Sequence, residues 1–184
     1  RVAVISGNRM EYPEIVAGLS KAGLIAVLVN PRSVSREVEY FIRHSGSKGA
    51  IIESSLVPLV ENYIFETSVE QILTMDSDDF GLDYEKTIKS QEKYDPFVFV
   101  DEREPFKICY TSGTTGEPKG VMLDNENFIH TFIVHQDRLD LSDKDVSMAF
   151  LPLSHIFERT WSFYLLFCGG INFYNENPRK IIEV

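Results

Sequence analysis

Cysteine is scarce in this sequence of 184 residues, which contains only Cys109 and Cys168. Both lie in apolar surroundings, without the spacing of metal ligands. The composition therefore excludes a disulfide scaffold and a zinc module, and it favours a reducing compartment. The 11 glycines and 8 prolines are also too few for a collagen-like or linker-like chain.

Long apolar runs are missing as well. The longest one, residues 163–171, is about half as long as a membrane-spanning helix requires. The chain does not open on the charged and then apolar segments of a secretion signal. We therefore expect a cytoplasmic protein.

Positive charge is in the minority, with 18 Lys and Arg against 28 Asp and Glu and a formal net charge of −10. Nucleic acid is not an expected partner, because phosphate backbones are bound by cationic surfaces. A phosphorylated ligand would have to be held by backbone amides, helix N-termini and single lysines. Apolar residues make up an ordinary 43% of the chain, enough for the core of one domain.

The first part of the chain, residues 1–105, alternates β-branched runs with amphipathic stretches. Units of about 25 residues require crossover connections, so we predict an α/β fold with a largely parallel sheet and helices on both faces. The predicted strands are residues 2–6, 25–30, 50–53 and 71–75. Helices are predicted around Tyr12 to Leu19, around Val38 to Ile42 with Ser33 or Ser35 as its cap, and around Leu56 to Tyr63.

The rest of the chain, residues 106–184, continues the pattern after an acidic stretch at residues 76–91 that we expect to be a surface excursion. Strands are predicted at residues 106–111, 120–123, 146–153 and 171–174. Helices are predicted at residues 127–139 and around the apolar stripe of Phe157, Trp161, Tyr164 and Leu165.

The segment between the strands at 106–111 and 120–123 has the composition of an anion-binding loop. Its glycines let several N–H groups converge, its hydroxyls add neutral donors, and its lysine adds a positive charge. An exposed hairpin loop would have a similar composition. The spacing excludes a Walker P-loop, because Gly120 stands where that motif has Ser or Thr. The residues are Thr111, Ser112, Gly113, Thr114, Thr115, Gly116, Glu117, Pro118, Lys119 and Gly120.

Residues 110–123, YTSGTTGEPKGVML, resemble the AMP-binding signature of the adenylate-forming acyl-CoA synthetase superfamily. Residues 151–159, LPLSHIFER, resemble the next core motif of that family in its long-chain fatty acyl-CoA synthetase form. Residues 2–9, with the pairs Ala22-Gly23 and Asn30-Pro31, are similar to the family's N-terminal region. The resemblance covers essentially the whole chain.

The resemblance implies a ligase of the acid–thiol class that uses ATP, Mg²⁺ and CoA, with a fatty acid as the other substrate. A carboxylate attacks the α-phosphorus of ATP, giving acyl-AMP and pyrophosphate, and the CoA thiolate then displaces AMP. By analogy with the family, Thr111, Ser112, Gly113, Thr114, Thr115 and Gly116 would hold the β- and γ-phosphates. Lys119 would add positive charge beside them, and the Thr111 hydroxyl would contact Mg²⁺.

The second motif implies a role for His155, which would lie beside the reacting carboxylate and the α-phosphate. Without the motif, a single histidine in an apolar context is more often structural. Phe157 and Trp161 would wall the acyl site, although an aromatic stripe at helical spacing is usually core. Glu158 and Arg159 are expected to pair, and Cys109 is interpreted as a small buried residue.

The sequence departs from the family at Asp124 and Asn125, where the family often has Thr-His. Either residue still suits a helix cap. A role that the histidine plays in other members is not expected here.

Several family elements have no counterpart in the sequence: the Tyr-Gly-x-Thr-Glu motif, the aspartate that binds ribose, and the small C-terminal domain. With Arg1 as first residue, we expect an incomplete part of the large N-terminal domain that is inactive alone. Peripheral membrane contact is an expectation for the parent protein. Two alternatives stay open: a noncatalytic nucleotide- or phosphate-binding module, and an adenylation domain for an amino or aryl acid.

Overall fold

A seven-stranded sheet forms the centre of the protein. The computed structural model describes residues 1–95, 97–111 and 116–177. The strand order is β5-β4-β3-β1-β2-β6-β7, and every neighbouring pair is parallel except the antiparallel pair of β6 and β7. The strands are β1 (Val2–Ile5), β2 (Ala26–Val29), β3 (Gly49–Glu53), β4 (Gln71–Met75), β5 (Leu82–Asp83), β6 (Pro105–Thr111) and β7 (Lys119–Asp124).

Within the described residues, five α-helices and a small second sheet accompany the main sheet. The second sheet consists of the parallel strands β8 (Val146–Ala149) and β9 (Ile171–Tyr174). The helices are α1 (Glu11–Lys21), α2 (Ser35–Ser45), α3 (Tyr84–Ser90), α4 (Asn125–Leu139) and α5 (Ile156–Phe167). This arrangement confirms the predicted α/β fold. No helix in the described ranges is long and apolar enough to cross a membrane.

The core has two parts, one on each face of the main sheet. Val4 packs with the residues of α1 and with Phe128 of α4, whereas Ala3 and Ile5 pack on the other face with the residues of α2. Successive side chains of a strand point to opposite faces, and both faces are covered here. This explains why the parallel strands read as continuous apolar runs rather than as alternating ones.

The predicted third helix is wrong in type. The chain forms two short 3₁₀ helices there, Ser54–Leu59 and Ile64–Glu66. Pro58 lies inside the first of them, and proline lacks the N–H that a continuing α-helix needs.

Helix starts differ from the predictions in one case and agree in another. Neither Ser33 nor Ser35 caps α2, because Val34 occupies the cap position and its N–H donates to the carboxylate of Glu37 at 3.1 Å. Asp124 caps α4 as predicted, since its carboxylate accepts from the N–H of Asn127 at 2.8 Å.

The acidic stretch at residues 76–91 is mostly exposed, as predicted for a surface excursion, but it also forms secondary structure. It contains β5 and α3, and Asp83 caps that helix by accepting from the N–H of Lys86 at 2.7 Å. The strand predicted at residues 146–153 ends at Ala149. In residues 151–154 the backbone forms hydrogen bonds with side chains rather than with a neighbouring strand, as described below.

Candidate functional site

A cavity of about 400 Å³ lies at the carboxyl ends of β2 and β6. We call it the strand-end cavity. Ligands of parallel α/β sheets bind at this edge, where loops rather than strands meet. The cavity brings together residues from distant parts of the chain: Leu28, Asn30, Arg32, Ser33, Glu37, Phe41, Tyr110, Thr111, Pro118, Ser154 and His155.

Thr111 and Lys119 face each other across the antiparallel pair of β6 and β7. Thr111 is the last residue of β6 and Lys119 the first of β7, and both side chains are exposed. Directly opposite residues project from the same face of a sheet. The prediction that two strands flank the loop is therefore confirmed, although Lys119 and Gly120 belong to β7 rather than to the loop. The predicted site residues Ser112, Gly113, Thr114 and Thr115 lie outside the described residues.

Aromatic side chains of α2 support this hairpin. The ring of Tyr110 stacks on Phe41 with 4.2 Å between centroids, and the hydroxyl of Tyr40 donates to the carbonyl of Pro118 at 3.2 Å. A Cβ at position 120 would lie 3.0 Å from the side chain of Ile108 and 3.3 Å from the ring of Tyr110. A larger residue at this position would therefore require the side chains of Ile108 and Tyr110 to shift by a few tenths of an ångström.

Position 116 also favours glycine, in this case because of its backbone conformation. Its φ of 151° lies in a region that other residues rarely adopt, and a Cβ there would meet nothing within 4 Å. The residue lies three positions before β7 and is exposed. The turn conformation, not crowding, thus accounts for glycine here.

His155 also lines the strand-end cavity. It is the N-cap of α5, where its Nδ1 accepts from the N–H of Phe157 at 3.3 Å. With Nδ1 as acceptor, the neutral ring carries its proton on Nε2. The start of a twelve-residue helix also carries partial positive charge and free N–H groups. The structure therefore places an imidazole and a helix N-terminus at a cavity that Thr111 also lines.

Three side chains hold the loop that carries His155. Asn8 donates to the carbonyl of Leu151 at 2.7 Å and accepts from the N–H of Leu153 at 2.9 Å. Glu158 accepts from the N–H of Leu151 at 3.0 Å. Arg159 donates to the carbonyl of Leu153 at 3.1 Å and to that of Ser154 at 3.0 Å. These bonds replace a strand ladder for residues 151–154 and fix the start of α5.

The expected pairing of Glu158 with Arg159 is not found among the described contacts. Consecutive helix residues point about 100° apart, and each of these two side chains turns to a different partner. Besides its carbonyl bonds, Arg159 donates to the sulfur of Cys109 at 2.9 Å. Burial raises the pKa of the Glu158 carboxyl. Cys109 is buried as expected, but it also accepts a hydrogen bond from a buried cation.

Sequence reasoning missed the anchoring roles of Asn8 and Arg159. A signal was present for the arginine, because its spacing from Ser162 and Leu165 places all three residues on one face of the helix, and all three are buried. No local pattern points to Asn8, since its two contacts lie 143 and 145 residues away along the chain.

The family of the protein follows from comparison with known sequences. Residues 1–181 match the family model described as AMP-binding enzyme. The chain belongs to this family. The resemblance of residues 110–123 and 151–159 is thereby confirmed at the level of the family. The described residues 110–111 and 116–123 lie at the end of β6, before β7 and in β7, and residues 151–159 cover the loop before α5 and the first residues of that helix.

Relatives of this AMP-binding chain include ligases for different acids. It is 32% identical over 169 residues to 3-methylmercaptopropionyl-CoA ligase of Ruegeria pomeroyi, covering 85% of this chain and 31% of that protein. It is also 32% identical over 161 residues to a long-chain-fatty-acid–CoA ligase of Thermus thermophilus, covering 85% and 29%. The chain thus spans about a third of the length of these relatives.

A solved structure shows the same fold. The inhibitor-bound N-terminal domain of FACL13 from Mycobacterium tuberculosis superposes with a TM-score of 0.87 at 25% identity, covering 100% of this chain and 46% of that one. The α/β architecture of the AMP-binding chain therefore matches that N-terminal domain.

Phe157 and Trp161 do not line the strand-end cavity. Phe157 is 67% exposed. Trp161 is partly buried, and its indole N–H donates to the hydroxyl of Ser147 on β8 at 2.8 Å. The cavity thus unites Thr111 and His155, whereas the acyl-site role of the two aromatic residues stays a prediction.

Proposed function

We propose that this chain forms the phosphate-binding part of an acid–thiol ligase that activates a carboxylate with ATP and transfers the acyl group to CoA. The observation that carries the proposal is the meeting of Thr111 and His155 at one cavity. Thr111 is the second residue of the AMP-binding signature, and His155 stands at the N-terminus of α5. Helix N-termini and converging hydroxyls suit phosphate groups, even in a protein of net charge −10.

In the proposed reaction, a carboxylate oxygen attacks the α-phosphorus and pyrophosphate leaves. Thr111, Gly116 and the residues between them hold the β- and γ-phosphates, and the ammonium of Lys119 neutralises charge that builds up as they depart. His155 and the N-terminus of α5 orient the carboxylate and the α-phosphate. Fixed positive charge of this kind is the largest expected contribution to lowering the barrier. The CoA thiolate then attacks the acyl carbon, and AMP leaves.

The described residues of this site would hold a Mg²⁺ ion only together with the phosphate oxygens of a bound nucleotide. No group of three or more His, Cys, Asp or Glu within the described ranges is arranged to hold a metal. Mg²⁺ at nucleotide sites is bound by few protein oxygens together with phosphate oxygens. The hydroxyl of Thr111 would supply one such oxygen to an ion that neutralises the phosphates.

For the acyl group we propose a long-chain fatty acid, with Phe157 and Trp161 walling its site. Support comes from the resemblance of residues 151–159 to the long-chain form of the motif. The relatives named above act on a fatty acid and on 3-methylmercaptopropionate. A panel of long-chain, medium-chain, aryl and amino acids assayed for CoA ester formation by a full-length enzyme carrying this sequence tests the assignment. Highest kcat/KM on an aryl or amino acid would contradict it.

Lys119→Ala tests the phosphate role in the same full-length enzyme. We expect adenylation to slow by the equivalent of about 2–4 kcal/mol, because the leaving pyrophosphate loses one counter-charge. Thioester formation from supplied acyl-AMP should be unchanged, since pyrophosphate has then gone. The matched control is Lys144→Ala, which removes another exposed lysine.

The two half-reactions are measured separately, by pyrophosphate exchange and by CoA ester release. Equal losses in both would indicate general damage to the fold and contradict the proposed role. Unchanged rates in both would make Lys119 an ordinary surface lysine. Binding of ATP without any acyl-AMP formation by the wild type would favour the noncatalytic nucleotide-binding module.

A further inference from the structure

Tyr40 of α2 anchors the backbone just before β7. Its hydroxyl donates to the carbonyl of Pro118 at 3.2 Å, and Pro118 directly precedes Lys119. Within the part of the chain that the structure describes, this is the one side-chain hydrogen bond to residues 116–119. Lys119 itself is exposed, so the direction in which its side chain leaves the hairpin depends on how the backbone at this point is held.

The same helix also holds the other arm of the β6–β7 hairpin. Tyr110, the residue before Thr111, stacks on Phe41 with an angle of 19° between the ring planes. The Tyr110 hydroxyl lies 2.8 Å from Nδ1 of His44, which is one helical turn after Tyr40. The rings of Tyr40 and His44 stack in turn, with 5.2 Å between centroids. One continuous group of rings therefore connects α2 to both arms of the hairpin.

These contacts fix the hairpin next to its functional pair. Thr111 and Lys119 are directly opposite each other in the antiparallel ladder, and each follows a residue that α2 holds. Ordering an exposed lysine on a ligand costs conformational entropy. Support that exists before the ligand arrives lowers this cost, and it places the charge where the reaction needs it.

Tyr40 can act on the reaction only through the backbone. It is not among the residues that line the strand-end cavity, whereas Pro118 and Thr111 are. It lines a different cavity, on the side of the hairpin where Arg36, Glu37 and Glu117 also lie. A change in its hydroxyl would therefore reach the phosphates by way of the Pro118 carbonyl.

We propose that Tyr40 is a positioning residue for Lys119 in the adenylation step. Its hydroxyl holds the carbonyl of Pro118, and this bond directs the backbone from which the lysine reaches the phosphates. The inference rests on the proposed function, which assigns Lys119 to the departing pyrophosphate. It adds to that function a contribution from α2, a helix that lies outside both family motifs.

Tyr40→Phe in the full-length enzyme removes the hydroxyl and keeps the ring. We expect pyrophosphate exchange to slow by about three- to tenfold, the range that follows from the net contribution of a single hydrogen bond. CoA ester formation from supplied acyl-AMP should keep its wild-type rate, because pyrophosphate has then gone. Equal slowing of both half-reactions would overturn the proposal.

Tyr63→Phe is the matched control. The Tyr63 hydroxyl donates to the carbonyl of Ser35, the first residue of α2, also at 3.2 Å. This variant therefore removes the same kind of bond from the same helix without changing a contact of the hairpin. Both half-reactions should stay within about twofold of the wild type. If Tyr63→Phe slowed exchange as much as Tyr40→Phe, the effect would come from α2 stability, and the proposal would be wrong.

The double variant Tyr40→Phe with Lys119→Ala tests whether Tyr40 acts through the lysine. Once the ammonium is absent, its position no longer matters, so Tyr40→Phe should slow exchange by less than about a further twofold. A full three- to tenfold additional loss, the size expected for about one independent hydrogen bond, would show that Tyr40 acts without Lys119 and would overturn the proposal.

Hydrogen exchange followed by mass spectrometry gives a readout that needs no turnover. The amides of Glu117, Lys119 and Gly120 should exchange faster in Tyr40→Phe than in the wild type and in Tyr63→Phe. Unchanged exchange at these amides would contradict the anchoring role. Wild-type adenylation in Lys119→Ala would overturn both this inference and the proposed role of the lysine, whereas a slow Lys119→Ala beside a wild-type Tyr40→Phe would overturn this inference alone.

Discussion

At the scale of single residues, buried polar side chains fix the position of the loop that carries His155. Arg159 is completely buried, yet it bonds to two carbonyl groups just before His155 and to the sulfur of Cys109. These partners would otherwise be buried without a donor. A charged side chain in the core thus connects the stability of the fold to the position of His155.

Arg159→Ala should therefore lower the free energy of unfolding by about 3–5 kcal/mol, because a buried polar network is broken and its carbonyl groups lose their donor. Urea denaturation followed by circular dichroism measures the change. The control Arg138→Ala, at an exposed arginine of α4, should cost less than about 0.5 kcal/mol. Similar values for the two variants would show that Asn8 and Glu158 hold the loop without Arg159.

At the scale of elements, a polar link joins the ends of two strands that are separated by one other strand in the main sheet. Arg9, between β1 and α1, forms ion pairs with Glu11 of α1 and with Asp76, which directly follows β4. Its guanidinium lowers the pKa of the Asp76 carboxyl from 3.8, mainly through a hydrogen bond. The link spans the carboxyl ends of β1 and β4, with β3 between them.

Asp76→Asn should lower the stability at pH 7 by about 0.5–1 kcal/mol, the range of exposed ion pairs, since the Asp76 side chain is 55% exposed. A lowered folded-state pKa stabilises the protein above the unfolded-state value, and the contribution is lost as the pH falls through the folded-state value. The difference in Tm between wild type and variant should therefore shrink below about pH 4. Scans from pH 7 to the acid limit measure it, with the exposed Asp137→Asn as control. A constant difference at all pH values would contradict the assignment.

At the scale of the whole molecule, the share of the relatives' length that this chain covers bears on the proposed reaction. It spans 31% and 29% of the two ligases described above. We predict that the 184-residue chain binds MgATP weakly and catalyses no fatty-acid-dependent pyrophosphate exchange. Exact positioning of the two reactants lowers the activation free energy by roughly 7–11 kcal/mol in favourable cases. A partial site would lose most of this reduction. Exchange of labelled pyrophosphate into ATP at an enzymatic rate would refute the prediction.

Local patterns in the sequence were sufficient for the α/β class, for β1 to β4 and for the strands on either side of the signature loop. Strand runs, helical spacing and turn residues depend on neighbours a few positions apart, and these are visible in the sequence. The prediction of a third α-helix was wrong because it relied on the helical spacing of apolar residues and gave too little weight to Pro58. Thr111 stood out through the composition of its loop and His155 only through the resemblance of residues 151–159 to a family motif, and the chemical roles of both stay predictions.

Only the tertiary structure decided which residues meet. The strand-end cavity joins Asn30, Thr111 and His155 because β2 and β6 are neighbours in the sheet and α5 begins beside them. Asn8 forms hydrogen bonds with a loop more than 140 residues away along the chain. Lys107 is shielded from solvent by side chains of α4 and α5, which follow it in the chain. Burial and partnership depend on distances in space between remote segments, and no local pattern encodes those distances.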